Sequence, residues 1–473
     1  MDTETVPLLI GNEARRIPGG AKISVHSAAQ DRIVGYAEAA TVDNAREAVQ
    51  CAAQAFAKWR NVGISARREI LFKAINNFRE NQHLLMTSLQ SETSCTKEWA
   101  AANIRGTLKS LEELACSITS ITGEIPSTDD PSRLSLIFQV PVGSVLVIAP
   151  WNGGIVLPAK AITQPLAAGC TVVFKASELS PRTHHLVAKM FIDAGLPAGA
   201  LNVVQTRRED AENVTRAVIA HPAIRKIDFI GSAAVGRTIG EMAAHYLKPV
   251  LMELGGKCPA IVLDDADVAD AASKCVVGAF LHHGQICFST ERIIVLEAIA
   301  EKFTAELRAR AQNWQPVDGV SKRIIDNAHS LVEDARAKGC EFVLGEGSPG
   351  FVRPSALQPV ILTNVTKDMA IYDSESFGPS VSLYVVKTED EAVELANSST
   401  YGLNAAVHSQ NLTRALRVAR QIECGTIWVN GLTAGESATC PIGGYKGSGW
   451  GRSNQKWGLN EFVQTQTVNL PHL

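Results

Sequence analysis

SVLVIAPWNGGIVLPAKAITQPLAAGCTVVFKAS, residues 144–177, decides the fold. SVLVIAP (144–150) is apolar at nearly every position, GGIVLPAKAITQPLAAG is long enough for a helix, and TVVFKAS (171–177) is a second apolar run. A strand with one wet face alternates; a strand apolar throughout is covered on both faces. The stretch therefore reads strand, helix, strand, with the strands parallel and helices on both sides of the sheet.

The pattern continues in both directions. Downstream, LNVVQT and KIDFIGS (226–232) are further strands, separated by RTHHLVAKMFIDAG and followed by AAVGRTIGEMAAHY. A second strand series is expected from about 250: KPVLMELGG, PAIVLDD, ERIIVLE, CEFVLGE, PVILTNV and SVSLYVV, interleaved with helical text such as VADAASKCVVGAFLHHG. Upstream, about 42–120 is helical, and DNAREAVQCAAQAFAKWR is expected to open on Asp43 or Asn44 as a cap. GEIPSTDDPSRLSLIFQVPVG predicts an exposed hairpin-like excursion and a subunit contact. QTQTVNL, near the end, alternates, as an edge strand or one that pairs with another subunit would. The expected class is α/β, with two closely packed domains and a small arm.

Bulk properties narrow the function. At 473 residues two or more domains are expected. Lys+Arg of 45 against Asp+Glu of 48 gives −3, which favours neither nucleic acid nor an acidic membrane surface. The longest apolar run, VGSVLVIAPW, is too short to span a bilayer. The acidic N-terminus does not resemble a secretory signal, so the cytosol is the expected compartment. Ten cysteines occur without CxxC or zinc-finger spacing, so no metal site is expected and most should be reduced apolar fillers.

Several loops carry candidate chemistry, each with a plain alternative. GSAAVG (231–236) opens a helix after a strand, where Gly231, Ser232 and Gly236 would let a backbone approach a phosphate; an ordinary turn reads the same way. In KASE, Lys175 and Glu178 suit adenosine ribose hydroxyls, with Glu178 repelling a 2′-phosphate; a solvated salt pair is the alternative. Glu253 in LMELGGK sits among apolar residues that would raise its pKa towards that of a general base, or it is an ion-paired glutamate. In APWNGG, Asn152 beside Trp151 is a side-chain amide able to meet an oxyanion, or a turn former. Glu375 and Phe377 lie in the turn ESFGP, and Cys287 follows His282 and His283 in HHGQICFST.

APWN, KASE, FIGSAAVG, MELGGK, GQIC, ESFGP, YGLNAAV, GTIWVN and PIGGYKGSG, in this order, resemble the aldehyde dehydrogenase superfamily over roughly residues 20–470. The spacing of ELGGK and GQxC, 34 residues (287 − 253), is specific. The resemblance implies an aldehyde dehydrogenase-like fold. A Rossmann-like NAD domain would take 1–118 and 142–252, a catalytic domain 253–440, and a β oligomerisation arm 119–141 with 455–471, giving dimers or tetramers. It implies Cys287 as nucleophile, Asn152 as oxyanion donor and Glu253 as the base that hydrolyses a thioester. NAD would be held by Lys175, Glu178, Gly231, Ser232, Gly236, Trp151, Glu375 and Phe377.

Retention of Glu253 points to release of a free acid. GQICFSTERIIV is similar to salicylaldehyde, vanillin and benzaldehyde dehydrogenases, with Phe288 where those relatives more often have Met. The substrate wall is assigned to Gly153, Lys160, Phe288 and Ile442: Gly153 and Gly154 would widen it, and Lys160 would meet a phenol oxygen, with a solvated helix residue as the alternative. Alternatives are an enzyme for long or bulky aliphatic aldehydes, a cysteine-dependent ester hydrolase without a redox step, and a silent scaffold.

Overall fold

The computed structural model describes residues 5–345 and 351–471. Its first sheet has eight strands, in the order Gly449–Trp450, Val250–Glu253, Ile224–Ile230, Ser144–Ile148, Thr171–Ala176, Leu201–Gln205, Leu8–Ile10 and Glu13–Arg15. The five from Val250–Glu253 to Leu201–Gln205 are parallel. Val145, Leu146 and Val147 are at most 1% exposed, which is why the opening stretch reads apolar without alternation.

One face of this sheet packs on helices Ile64–Glu80, Lys97–Ser117, Val156–Ala168 and Pro181–Ile192. The other packs on Val42–Trp59, Ala211–Ala220 and Ala233–His245. Helix Val156–Ala168 is buried almost all round, as an apolar helix enclosed by others should be, and it stops at Gly169 in the left-handed region (φ 94°). The helix expected near 42 is capped earlier than Asp43 or Asn44. Thr41 Oγ1 accepts from the Asn44 amide at 3.2 Å, and Asn44 Oδ1 accepts from the Thr41 amide at 3.1 Å. Asn44 is thus the returning half of a capping box.

The second sheet has seven strands: Glu341–Leu344, Val360–Thr363, Ser380–Val386, Thr290–Leu296, Cys258–Val262, Asn404–His408 and Thr426–Val429. All neighbours are parallel except the first pair.

Two expectations change. KPVLMELGG does not start the second series; Val250–Glu253 pairs with Ile224–Ile230 and extends the first sheet. An apolar run carries no label of the sheet it joins, and the following GGK makes the crossing to Cys258–Val262. The end of the chain returns to cover this strand, with Gly449 opposite Glu253. Gly449 has φ 109°, and a Cβ there would lie 2.0 Å from the Met252 carbonyl oxygen, so only glycine fits.

QTQTVNL lies in strand Val463–Pro471, which pairs antiparallel with Arg133–Pro141 of the same chain over nine residue pairs. The 120–141 excursion is therefore one half of a ribbon closed by the C-terminus. Among the described residues no helix is long and apolar enough to cross a membrane.

Candidate active site

Three loops meet where the sheets face each other. Asn152 follows strand Ser144–Ile148, Glu253 ends strand Val250–Glu253, and Cys287 precedes strand Thr290–Leu296. The Asn152 side-chain amide donates to the Gln285 carbonyl at 3.0 Å, two residues before Cys287. That bond uses one of its two N–H groups and leaves the second to act. The Asn152 carbonyl accepts from Trp99 Nε1 at 2.8 Å.

The loop before Cys287 is wound against its preference. His282, His283 and Gly284 have φ of 49°, 59° and 72°. A Cβ on Gly284 would lie 2.1 Å from the Gly378 carbonyl oxygen. Left-handed non-glycine residues cost on the order of 1–3 kcal/mol each and persist where neighbours over-determine them. Here His283 Nε2 accepts from the Leu357 amide at 3.3 Å, Gln285 Oε1 accepts from the Val320 amide at 2.9 Å, and Trp99 stacks on His282 at 4.7 Å. The buried, hydrogen-bonded His283 is structural. Trp99 and Gln285 were not singled out in the sequence, although Gln285 lies inside the GQIC motif.

Electrostatics divide the site by role. Burial pushes the Cys287 thiol well above its ordinary value, and Glu253 and Glu375 push the same way. A thiol raised in this way favours its neutral form and would have to lose its proton to act as a nucleophile. Burial raises Glu253 to about 7; Lys160 pulls it down and Glu436 pushes it up. Glu253 is 6% exposed and its Oε1 has no hydrogen-bond partner among the described residues. A carboxyl poised near neutrality with a free oxygen suits a base for water.

Lys160 is buried in an ion pair with Glu436, whose Oε1 also accepts from Asn454 Nδ2 at 3.0 Å. Desolvation lowers the Lys160 ammonium, but Glu436 and Glu253 outweigh it and the net shift is upward. Neither a solvated helix residue nor a free phenol contact describes it. Glu436 has no sequence signal; it lies 276 residues away from its partner.

The remaining wall residues divide. Phe288 and Ile442 lie in one apolar cluster with Cys258, Ile286 and Leu403, packed against Cys287. Gly153 and Gly154 do not leave a wide gap. A Cβ at Gly153 would meet Leu157 Cγ at 2.8 Å, and one at Gly154 would meet Leu89 Cδ1 at 2.8 Å.

The loops assigned to a dinucleotide fit one. Ser232 caps helix Ala233–His245, its hydroxyl accepting from the Val235 amide at 3.4 Å, and the helix presents its positive end there. Lys175 and Glu178 are partly exposed at the end of strand Thr171–Ala176, and Lys175 has no hydrogen-bond or ion-pair partner among the described residues. Gly231 and Gly236 flank the cap; a Cβ at Gly236 would strike Leu254 at 2.6 Å. Glu375 Oε1 accepts from the Gly256 amide at 3.0 Å, and burial with nearby Glu291 raises its pKa. Phe377 packs edge-on to Trp151 at 6.0 Å. A buried Lys257–Glu291 pair holds this turn, with Glu291 accepting from the Ser376 amide at 2.9 Å. Those two residues were passed over in ELGGK and STERI.

The aldehyde dehydrogenase family model matches residues 17–468. The chain belongs to the aldehyde dehydrogenase family. It is 38% identical to vanillin dehydrogenase of Pseudomonas fluorescens over 98% of both chains. The crystal structure of salicylaldehyde dehydrogenase from Pseudomonas putida G7, complexed with salicylaldehyde, superposes with a TM-score of 0.95 at 36% identity, covering 98% of this chain and 97% of that one. Betaine aldehyde dehydrogenase from Staphylococcus aureus in complex with NAD+ gives 0.94 at 27% identity, covering 99% and 95%. The aldehyde dehydrogenase fold expected from the motifs is thus shown for this chain, and the cluster around Cys287 is its candidate active site.

Proposed function

We propose that this aldehyde dehydrogenase oxidises an aromatic aldehyde to its carboxylic acid with NAD. The observation that carries the reading is the Asn152–Gln285 bond, which fixes an amide donor beside Cys287 while Glu253 stands by with a free oxygen. Cys287 sulfur, on losing its proton, bonds to the aldehyde carbon, and the carbonyl oxygen becomes an oxyanion. The second Asn152 N–H and the Cys287 backbone N–H hold that charge. Bound NAD supplies the hydride acceptor that leaves a thioester on Cys287. Glu253 then takes a proton from water, whose oxygen bonds to the thioester carbon as the carbon–sulfur bond breaks.

The cofactor assignment rests on Lys175, Glu178 and Ser232, with Gly231 and Gly236 allowing close approach and Trp151, Glu375 and Phe377 at the nicotinamide end. The residues 1–118 with 142–252 are assigned to the NAD domain, 253–440 to the catalytic domain. The ribbon of 119–141 with 455–471 exposes Phe138, Val468 and Leu470, which suits burial against a second copy.

The aromatic preference is supported by the salicylaldehyde and vanillin relatives and by the apolar cluster of Ile286, Phe288 and Ile442 beside the sulfur. Rates of NADH formation with benzaldehyde, salicylaldehyde, vanillin, a long aliphatic and a short aliphatic aldehyde test it. The aromatic aldehydes are expected to give the highest kcat/KM; a lead for the long aliphatic one would replace this reading. Ester cleavage without NAD binding would support a plain thiol hydrolase instead.

A further inference from the structure

Behind Glu253 lies a second buried carboxyl that the steps above do not use. Asp228, on strand Ile224–Ile230, is 2% exposed, and its Oδ2 has no hydrogen-bond partner among the described residues. The parallel register pairs Asp228 with Leu251 and Ile230 with Glu253. Paired positions share a face, so Asp228 and Glu253 are diagonal neighbours on one side of the sheet, roughly 7–8 Å apart at the backbone. One water bridges such a span. Two orphaned carboxyl oxygens facing one buried layer are not explained by packing.

The layer continues to the rim. Lys226, two residues before Asp228 on the same strand, donates to Glu461 Oε2 at 2.5 Å and sits 5.6 Å over the Phe462 ring. Glu461 Oε1 accepts from the Arg452 amide at 3.1 Å, and its side chain is 24% exposed. From helix Val156–Ala168, Lys160 faces the same layer with Glu436 as its partner. The charged groups around Asp228 are therefore Lys226, Glu253, Glu461 and Lys160.

We propose that Asp228 is a positioning residue that shares one proton with Glu253 and passes it towards Glu461 at the rim. The proposal rests on Glu253 as the hydrolytic base. Water gives one proton to Glu253 as its oxygen bonds to the thioester carbon, the carbon–sulfur bond breaks, and the products are a carboxylate and the Cys287 thiol. Each turnover leaves one proton on Glu253, inside a buried layer. Asp228 accepts it as its own proton moves outward, and Glu253 is ionised again. Burial raises both Asp228, to about 8, and Glu253, to about 7, so near neutrality the two carboxyls can hold one proton between them.

The test is D228N, which matches a protonated aspartate in shape and cannot pass a proton on. Acyl-enzyme formed from benzaldehyde and NAD is followed by rapid quench across pH 5.5–9.5. The expected result is a full burst of one NADH per subunit, with hydrolysis of the acyl-enzyme on its alkaline plateau slowed about tenfold, less than the ~100-fold or more that a general base contributes. An unchanged plateau overturns the proposal, including the case in which only the acid limb moves to lower pH, because that is loss of a neighbouring charge and no more. If D228N gives no burst, E461Q at the rim decides: slowed hydrolysis with a full burst supports the route, and a wild-type plateau ends it. E253Q separates the two readings. Normal hydrolysis in E253Q removes the base itself, whereas blocked hydrolysis there with normal D228N removes the relay alone.

Discussion

The loop before Cys287 and the loop before helix Ala233–His245, proposed for the reaction and for the cofactor, are built in opposite ways. In the first, the backbone passes through three left-handed residues, and the Gln285 carbonyl, Gln285 Oε1 and His283 Nε2 are tied down by Asn152, Val320 and Leu357. In the second, Ser232 caps an ordinary helix and the Lys175 side chain stands partly exposed with no hydrogen-bond or ion-pair partner among the described residues. Bond making needs donors fixed before the charge develops, because reorganising them would add to the barrier. Holding a cofactor needs donors that are still free when it arrives. The difference predicts that damage to the first region removes chemistry, whereas damage to the second changes affinity and choice.

The sharpest break is C287A, which should lower NADH formation by more than about 10⁴-fold, the scale seen when a covalent nucleophile is removed. Unchanged NAD binding by calorimetry would show that the loss belongs to the thiol side alone. Next comes N152A. It removes both the oxyanion donor and the anchor on Gln285, so kcat should fall by about 10²–10³-fold. A fall in KM affinity with kcat intact would mean that Asn152 only shapes the turn.

The contrast also explains how far the sequence reached. Fold class was legible because Val145 to Val147 and Val172 to Phe174 are buried on both faces, and burial writes itself as an unbroken apolar run. The sheet to which Val250–Glu253 belongs was not legible, since pairing partners leave no mark on an apolar strand. The residues proposed for the reaction stood in short motifs. The groups that tune them did not: Lys160 meets Glu436, and Lys226 meets Glu461, across more than 200 residues. Long-range ion pairs have no spacing to read. Lys160 consequently looked like a surface lysine or a phenol contact.

A pH profile sharpens the comparison at smaller scale. In the proposed mechanism Glu253 acts only when ionised, so hydrolysis should rise as pH passes through about 7 and level off above it. Lys160 is the cation that lowers Glu253, while Glu436 raises it. K160M removes the first influence, which moves the acid limb to higher pH by up to about one unit, while Glu436, buried without its cation, is pushed towards its neutral form and offsets part of that shift. An unmoved limb, read from acyl-enzyme hydrolysis, would uncouple the ion pair from the base.

The smallest effect is expected on the open side. Glu178 lies beside Lys175 at the end of strand Thr171–Ala176, with its carboxylate partly exposed. A 2′-phosphate placed against it would face a like charge that water only partly screens. In E178A that repulsion is gone while Lys175 remains as a cation for the phosphate. The ratio of kcat/KM for NADP to that for NAD should therefore rise on the order of tenfold, about 1.4 kcal/mol of relative binding. The change should appear in KM, because nothing near Cys287 has moved. If kcat changed instead, the two loops would be coupled, and the division between a fixed chemical side and an adaptable binding side would fail.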